Sequence, residues 1–230
     1  MMKRILFMVS CLLLIGSAAF ATNFGPASPG VAPGQMAFGA GYFHYNGDWD
    51  DETDGRQSMP YVQLSYGLTQ GWEIYGQVGA ADLSVDDAYG PGDDFEDGYR
   101  PFVAAGLKML ITERPTFNLG AFVQGTYFSD YDDSQNGVTL DIESNYEANL
   151  GLTFEKEIEG ALLYGGPVVF IREGDVSASG TLTGSDSYEE DSNFGGFLGM
   201  RWELKDGIII DLEGQYKTGL SGGADVLFKF

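Results

Sequence analysis

Cysteine is all but missing from this chain. The one thiol in 230 residues, Cys11, sits in an apolar N-terminal stretch. The rest therefore has no disulfide and no thiolate metal site, and it needs no covalent staple in an oxidising compartment. Basic residues are also scarce, with 12 Lys and Arg against 34 Asp and Glu, a net charge of −22. That excludes a nucleic-acid partner, whose phosphates need Lys and Arg. Histidine occurs once, at His44. No apolar run approaches the roughly 18–20 residues of a membrane-crossing helix. What the chain does have is 14% aromatic and 43% hydrophobic residues, too much for an acidic disordered polymer. Its 34 glycines are about twice ordinary usage.

The first 21 residues read as a cleaved export signal. Lys3-Arg4 is a positive start, Ile5 to Ile15 an apolar segment too short to span a bilayer, and Ala19-Phe20-Ala21 a small-x-small cleavage site. Removing Lys3 and Arg4 leaves 10 bases against 34 acids, a mature charge of −24. Residues 22–34 carry Pro26, Pro29 and Pro33 with Gly25, Gly30 and Gly34, show no strand pattern, and read as a flexible lead. Residues 35–230 form one domain.

That domain alternates in steps of two. From Val138 to Phe154 the even positions include Val138, Leu140, Ile142, Tyr146, Leu150, Leu152 and Phe154. The odd positions include Asp141, Glu143, Asn145, Glu147 and Asn149. A helix would mix these sets. The same pattern recurs around Met36–Tyr42, Val62–Leu68, Trp72–Val78, Val103–Met109, Phe117–Val123, Phe194–Leu204, Ile208–Tyr216 and Val226–Phe230. It is weakest at Leu162–Phe170, where both parities are apolar. These make ten strands, each near the ~9–11 residues that cross a bilayer at a tilt. Eight would result if the Val103 or Leu162 face and its partner were loops.

Short connections alternate with long ones. The short set is 69–71, 112–115, 155–160 and 205–207. The long set is 46–56, 84–98, 129–137 and 173–192. Barrels of the bacterial outer membrane have short periplasmic turns, long outer loops and an even strand count. The expected fold is therefore all-β, a closed antiparallel transmembrane barrel with its apolar parity toward lipid. Closure leaves no unpaired edge, and the chain is expected as a monomer. Tyr42, Tyr66, Trp72, Tyr127, Tyr146, Phe154, Trp202, Tyr216 and Phe230 lie near strand ends on the outward parity, where aromatic girdles belong.

With its export signal, its terminal Phe230 and the strand-to-turn phrase Tyr66-Gly67-Leu68-Thr69, the chain resembles the small outer-membrane β-barrel proteins of Gram-negative bacteria. The resemblance covers Gln35 to Phe230. It implies that Phe230 is the terminal aromatic read by the barrel-assembly machinery, and that outer-membrane lipid and lipopolysaccharide are the surroundings. It implies no activity.

Residues that could carry chemistry lie in the loops and lumen. Asp48, Asp50, Glu52 and Asp54, followed by Gly55, have the carboxylate spacing of a calcium-loop fragment, without a correctly placed closing Glu. Divalent cations of this kind could bridge acidic loops to anionic lipopolysaccharide, and no other cofactor is expected. The inward parity carries Glu73, Asp141, Glu143, Glu147, Glu203, Asp211, Glu213 and Asp225 with Arg100, Lys108, Arg201, Lys217 and Lys229. Counting back from the turn at 205–207 places Arg201 opposite Asp211, an expected cross-strand ion pair. An eight-stranded barrel is filled by its side chains and 16–18 strands leave a channel. Two readings of the interior therefore stand: a plugged, hydrogen-bonded lumen, or a narrow cation-preferring pore. The function expected is structural or porin-like and non-enzymatic. Loop-mediated adhesion is the main alternative, and a barrel enzyme using His44 as base is the third.

Overall fold

The computed structural model describes residues 22–49, 53–89, 92–181, 183–189 and 193–230. The expected export signal, 1–21, lies outside them. Twelve strands follow one another: β1 (Met36–Trp49), β2 (Thr53–Thr69), β3 (Trp72–Val85), β4 (Phe95–Glu113), β5 (Asn118–Phe128), β6 (Tyr131–Gln135), β7 (Val138–Ile158), β8 (Ala161–Gly180), β9 (Gly184–Glu189), β10 (Phe194–Glu203), β11 (Ile208–Tyr216) and β12 (Leu220–Lys229). The wall has ten staves, because two of these strands continue others. β5 pairs with β7 up to Tyr127↔Tyr146, and β6 carries on against the same strand from Tyr131↔Ile142. β10 and β9 likewise share β8.

All wall neighbours are antiparallel, and β1 meets β12 from Ala37↔Lys229 to His44↔Gly222. Met36 and Phe230 exchange backbone hydrogen bonds of 3.3 and 2.9 Å at the seam. The ring is closed with ten strands, as the alternation and turn lengths predict. Three of the expected long loops prove to be mostly sheet. β1 and β2 stay paired to Trp49↔Thr53, and β8 runs to Gly180. The wall therefore rises well past its apolar band.

That band faces outward. Phe38, Leu64, Val78, Val103, Leu150, Leu152, Leu198 and Phe228 are all exposed, ringed by Tyr42, Tyr66, Trp72, Tyr127, Phe154, Tyr216 and Phe230. A closed wall with an apolar exterior is the arrangement that satisfies every backbone group in lipid.

Two strands depart from the expected parity. In β7 the register shifts between Glu143 and Tyr146, where Ser144 takes a left-handed φ of 55°. A bulge inserts one residue and exchanges the two faces beyond it. Above it Ile142 is buried and Glu143 exposed; below it Asn145, Glu147 and Asn149 are buried. In β8 the inward residues are Tyr164, Val168, Phe170 and Arg172, while Val169 and Ile171 face out. The expected lipid face there was Leu162, Tyr164, Val168 and Phe170. With both parities apolar, only the barrel's need to fill its interior decides between them.

Glycine serves this interior. A Cβ on Gly106 would lie 2.3 Å from the ring of Tyr75, and one on Gly199 2.2 Å from the ring of Tyr164. The missing side chains let inward tyrosines lie across the neighbouring strand.

Candidate functional site

The lumen is filled at two levels. The outer level is apolar: Phe43, Tyr45, Met59, Tyr61, Leu83, Phe95, Phe102, Phe128, Tyr131 and Ile142 form one buried cluster. Arg172 is buried among them, with its guanidinium 5.5 Å from the Tyr45 ring and 5.3 Å from the Phe128 ring.

The inner level is polar, and the chain's own N-terminal segment occupies it. Residues 22–34 are not a free lead: Thr22, Asn23, Phe24, Ala27 and Val31 are all buried. The segment has few side chains with which to bind, so the wall holds its backbone. Glu213 accepts the N–H groups of Phe24 and Gly25 at 2.9 and 2.8 Å. Glu155 accepts Ser28 N–H at 2.9 Å and also its hydroxyl. Glu73 accepts Gly30 N–H at 2.7 Å. Hydrogen bonds to an ionised acceptor contribute roughly 1.5–3 kcal/mol each. The prolines between these positions have no N–H to satisfy, which suits a segment leaving ordinary pairing.

Phe24 anchors the tip. Its ring stacks on Phe122 at 4.4 Å and meets Phe197 edge-on at 5.4 Å. Beyond it, Thr22 lies among glutamines. Its hydroxyl donates to Gln77 and accepts from Gln124 at 3.0 Å, and its carbonyl accepts from Gln215 at 3.4 Å. Asn23 donates to Asp225 at 2.9 Å. At the short-turn end of the barrel Gly34 N–H bonds Gly67 O at 2.8 Å.

Among the described residues, three buried ion pairs brace the wall. Arg201 forks onto Asp211 at 2.7–3.1 Å, Lys217 meets Glu147 at 2.7 Å, and Lys108 stands 3.9 Å from Glu73. The predicted Arg201–Asp211 register is the observed one.

Glu73, Lys108, Glu147, Arg201, Asp211, Glu213, Lys217 and Asp225 thus line the lumen. Asp141 and Glu143 do not, because they lie on the outer side of the Ser144 bulge, where the faces are exchanged. Arg100 is at the outer rim, 37% exposed and paired with Asp97 and Asp132. Glu203 is at the opposite end, paired with Lys229 at 2.6 Å. Glu155 and Arg172 belong to the lumen too. Sequence reading missed both, placing Glu155 in a turn and ending the eighth-strand pattern at Phe170.

The rim beyond the membrane is strongly acidic. Its two arginines are each held by carboxylates, Arg56 by Asp86 and Arg100 by Asp97 and Asp132. In the β3–β4 connection, burial first and the charge of Asp133 second push the Tyr89 hydroxyl up to about 12. Of the proposed calcium ligands, Asp50 and Glu52 lie outside the described residues. Asp48 and Asp54 are opposite each other in the β1–β2 ladder, not in a loop. Among the described residues no group of three or more His, Cys, Asp or Glu could hold a metal ion. His44 faces outward into a surface cavity of about 530 Å³ with Arg56, Ser58, Asp82, Asp97 and Tyr99. Ser58 is its ladder partner, but Asp82 bonds the Ser58 N–H, and no described hydrogen bond joins His44 to either residue.

The lipid-facing belt, the ten-strand closure and the short turns at one end are together the architecture of a membrane-spanning β-barrel. No protein-family model and no curated protein matches the chain. Solved structures that resemble it include the outer membrane protease OmpT from Escherichia coli (11% identity, 86% of this chain and 97% of that one, TM-score 0.47). A second is the translocator domain of the autotransporter NalP from Neisseria meningitidis (11% identity, 100% and 95%, TM-score 0.47). A third is the COG4313 outer membrane channel from Pseudomonas putida F1 (11% identity, 91% and 100%, TM-score 0.41).

Proposed function

We propose that this outer-membrane barrel is a non-enzymatic, non-conducting structural protein that displays an acidic sheet extension outside the cell. The observation that carries this reading is the double filling of the lumen: the segment 22–34 below and the Phe43–Tyr131 cluster above. A porin-like path for small cations would have to cross both. The acids inside, which first suggest cation selectivity, are instead engaged: Glu213, Glu155 and Glu73 by the backbone of the N-terminal segment, Asp211, Glu147 and Glu73 by Arg201, Lys217 and Lys108, and Asp225 by the Asn23 side chain.

The outer rim is the part free to meet other molecules. Its carboxylates suit divalent cations shared with lipopolysaccharide phosphates, with the Asp48–Asp54 hairpin as one contributor. Planar-bilayer recording of the refolded mature protein tests the reading. No steps are expected in monovalent salt, either for the intact chain or after deletion of residues 22–33, because the apolar level remains. Steady cation-selective steps from the intact chain would refute it. Adding calcium to lipopolysaccharide-containing vesicles should raise the protein's thermal stability, and a chelator should reverse the gain.

A further inference from the structure

We infer that the inner lumen is a binding site for the free α-ammonium group that export processing creates at Thr22. The cleavage site read from the sequence ends at Ala21. The first residue after it is buried, 1% exposed, and glutamines from β3, β5 and β11 converge on it. Two observations indicate a missing cationic donor there. Buried acceptors in this part of the lumen lack a hydrogen-bond partner: Glu147 Oε2, Asn149 Oδ1, Gln215 Oε1 and Asp225 Oδ1. Gln215 already touches Thr22, Asp225 touches Asn23, and Asn149 is the ladder partner of the Gln124 that touches Thr22. The charge is also unbalanced. Among the described residues six carboxylates are buried (Glu73, Glu147, Glu155, Asp211, Glu213, Asp225) against four cations (Lys108, Arg172, Arg201, Lys217). Unpaired buried acceptors and charges are costly. An α-ammonium is charged at neutral pH, with an ordinary pKa of roughly 7.7–8.0, and brings three donors where a peptide nitrogen brings one.

The mature chain has no cysteine, so Val31→Cys, a near-isosteric change at a buried position, reports seating by its maleimide reactivity. Two folded forms would be compared, each checked by heat-modifiable migration: the mature chain and the same chain Nα-acetylated at Thr22. Labelling is expected to be slow in the first and about tenfold or more faster in the second, the effect of losing a charge-assisted hydrogen bond. Equal rates in the two forms, fast or slow, would overturn the inference. The pair Glu147→Gln and Asp225→Asn should shrink the difference between mature and acetylated chains. An undiminished difference in that variant would remove these carboxylates from the site.

Discussion

Arg201 and Asp211 face each other across β10 and β11, with guanidinium and carboxylate bidentate at 2.7–3.1 Å and both side chains almost fully buried. The pair sits beside the entering segment, since Arg201 Nη1 also reaches Ser28 O at 3.5 Å. One contact thus links wall register to lumen filling.

Breaking that pair from one side should be costly. Arg201→Met leaves a buried carboxylate uncompensated, a loss of about 3–5 kcal/mol for a buried ion pair. Urea unfolding of the refolded barrel in detergent would measure it. The double variant Arg201→Met with Asp211→Leu should recover most of the loss, because replacing a whole buried pair by apolar residues is often nearly neutral. A double variant as unstable as the single one would show that the neighbours Ser28 and Gly30, not the pair, set the cost.

Phe24 should control whether the N-terminal segment stays seated. Phe24→Ala removes the ring packed on Phe122 and Phe197, a change worth roughly 3–5 kcal/mol in a core. The ten wall strands do not include this segment, so the barrel itself should persist. The expected result is rapid protease trimming of residues 22–34, with heat-modifiable migration unchanged. Glu213→Ala should act the same way by releasing the N–H groups of Phe24 and Gly25.

The wall was legible in the sequence because lipid imposes one rule on every outward position. Turn lengths then supplied strand parity, and the 205–207 turn supplied the Arg201–Asp211 register. Leu204 N–H does bond Ile208 O at 2.8 Å. The interior followed less simple rules. Ser144-Asn145 carries no strong bulge signal, so Asp141 and Glu143 were placed inside. β8 packs Tyr164, Val168 and Phe170 inward and Val169 and Ile171 outward, and with both faces apolar the alternation is erased. The proline- and glycine-rich residues 22–34 have the composition of a loose linker. Two clues pointed the other way: a phenylalanine within it, and eight expected lumen acids facing only five bases. That surplus called for N–H donors, and the segment's backbone supplies them.

Phe230 closes the ring through its backbone and ends the outward girdle with a ring 70% exposed. Deleting it removes both seam bonds to Met36. Phe230→Ala keeps them and removes only the aromatic group. In cells, both changes should lower the assembled fraction if the exposed ring is read by the assembly machinery. In detergent refolding, Phe230→Ala should fold close to normally. Equal assembly of Phe230→Ala and the parent chain in cells would leave Phe230 with a backbone role alone.

The bulge at Ser144 separates the two lumen levels. Between Glu143↔Asp175 and Tyr146↔Glu173, β7 has two residues where β8 has one. Deleting Ser144 removes the surplus and leaves Glu143 directly before Asn145. Simple alternation then holds Asn145 inward, Glu143 outward and Ile142 inward, the faces observed. The deletion should therefore be tolerated, with unfolding within about 1 kcal/mol of the parent and no new protease sites in 131–142. Ser144→Val keeps the extra residue but resists the left-handed φ of 55°, and should cost about 1–2 kcal/mol. Ser144→Gly, which relieves that φ without changing register, should be neutral or slightly stabilising. A deletion variant less stable than Ser144→Val in urea unfolding would show that the bulge does more than set which residues face the lumen.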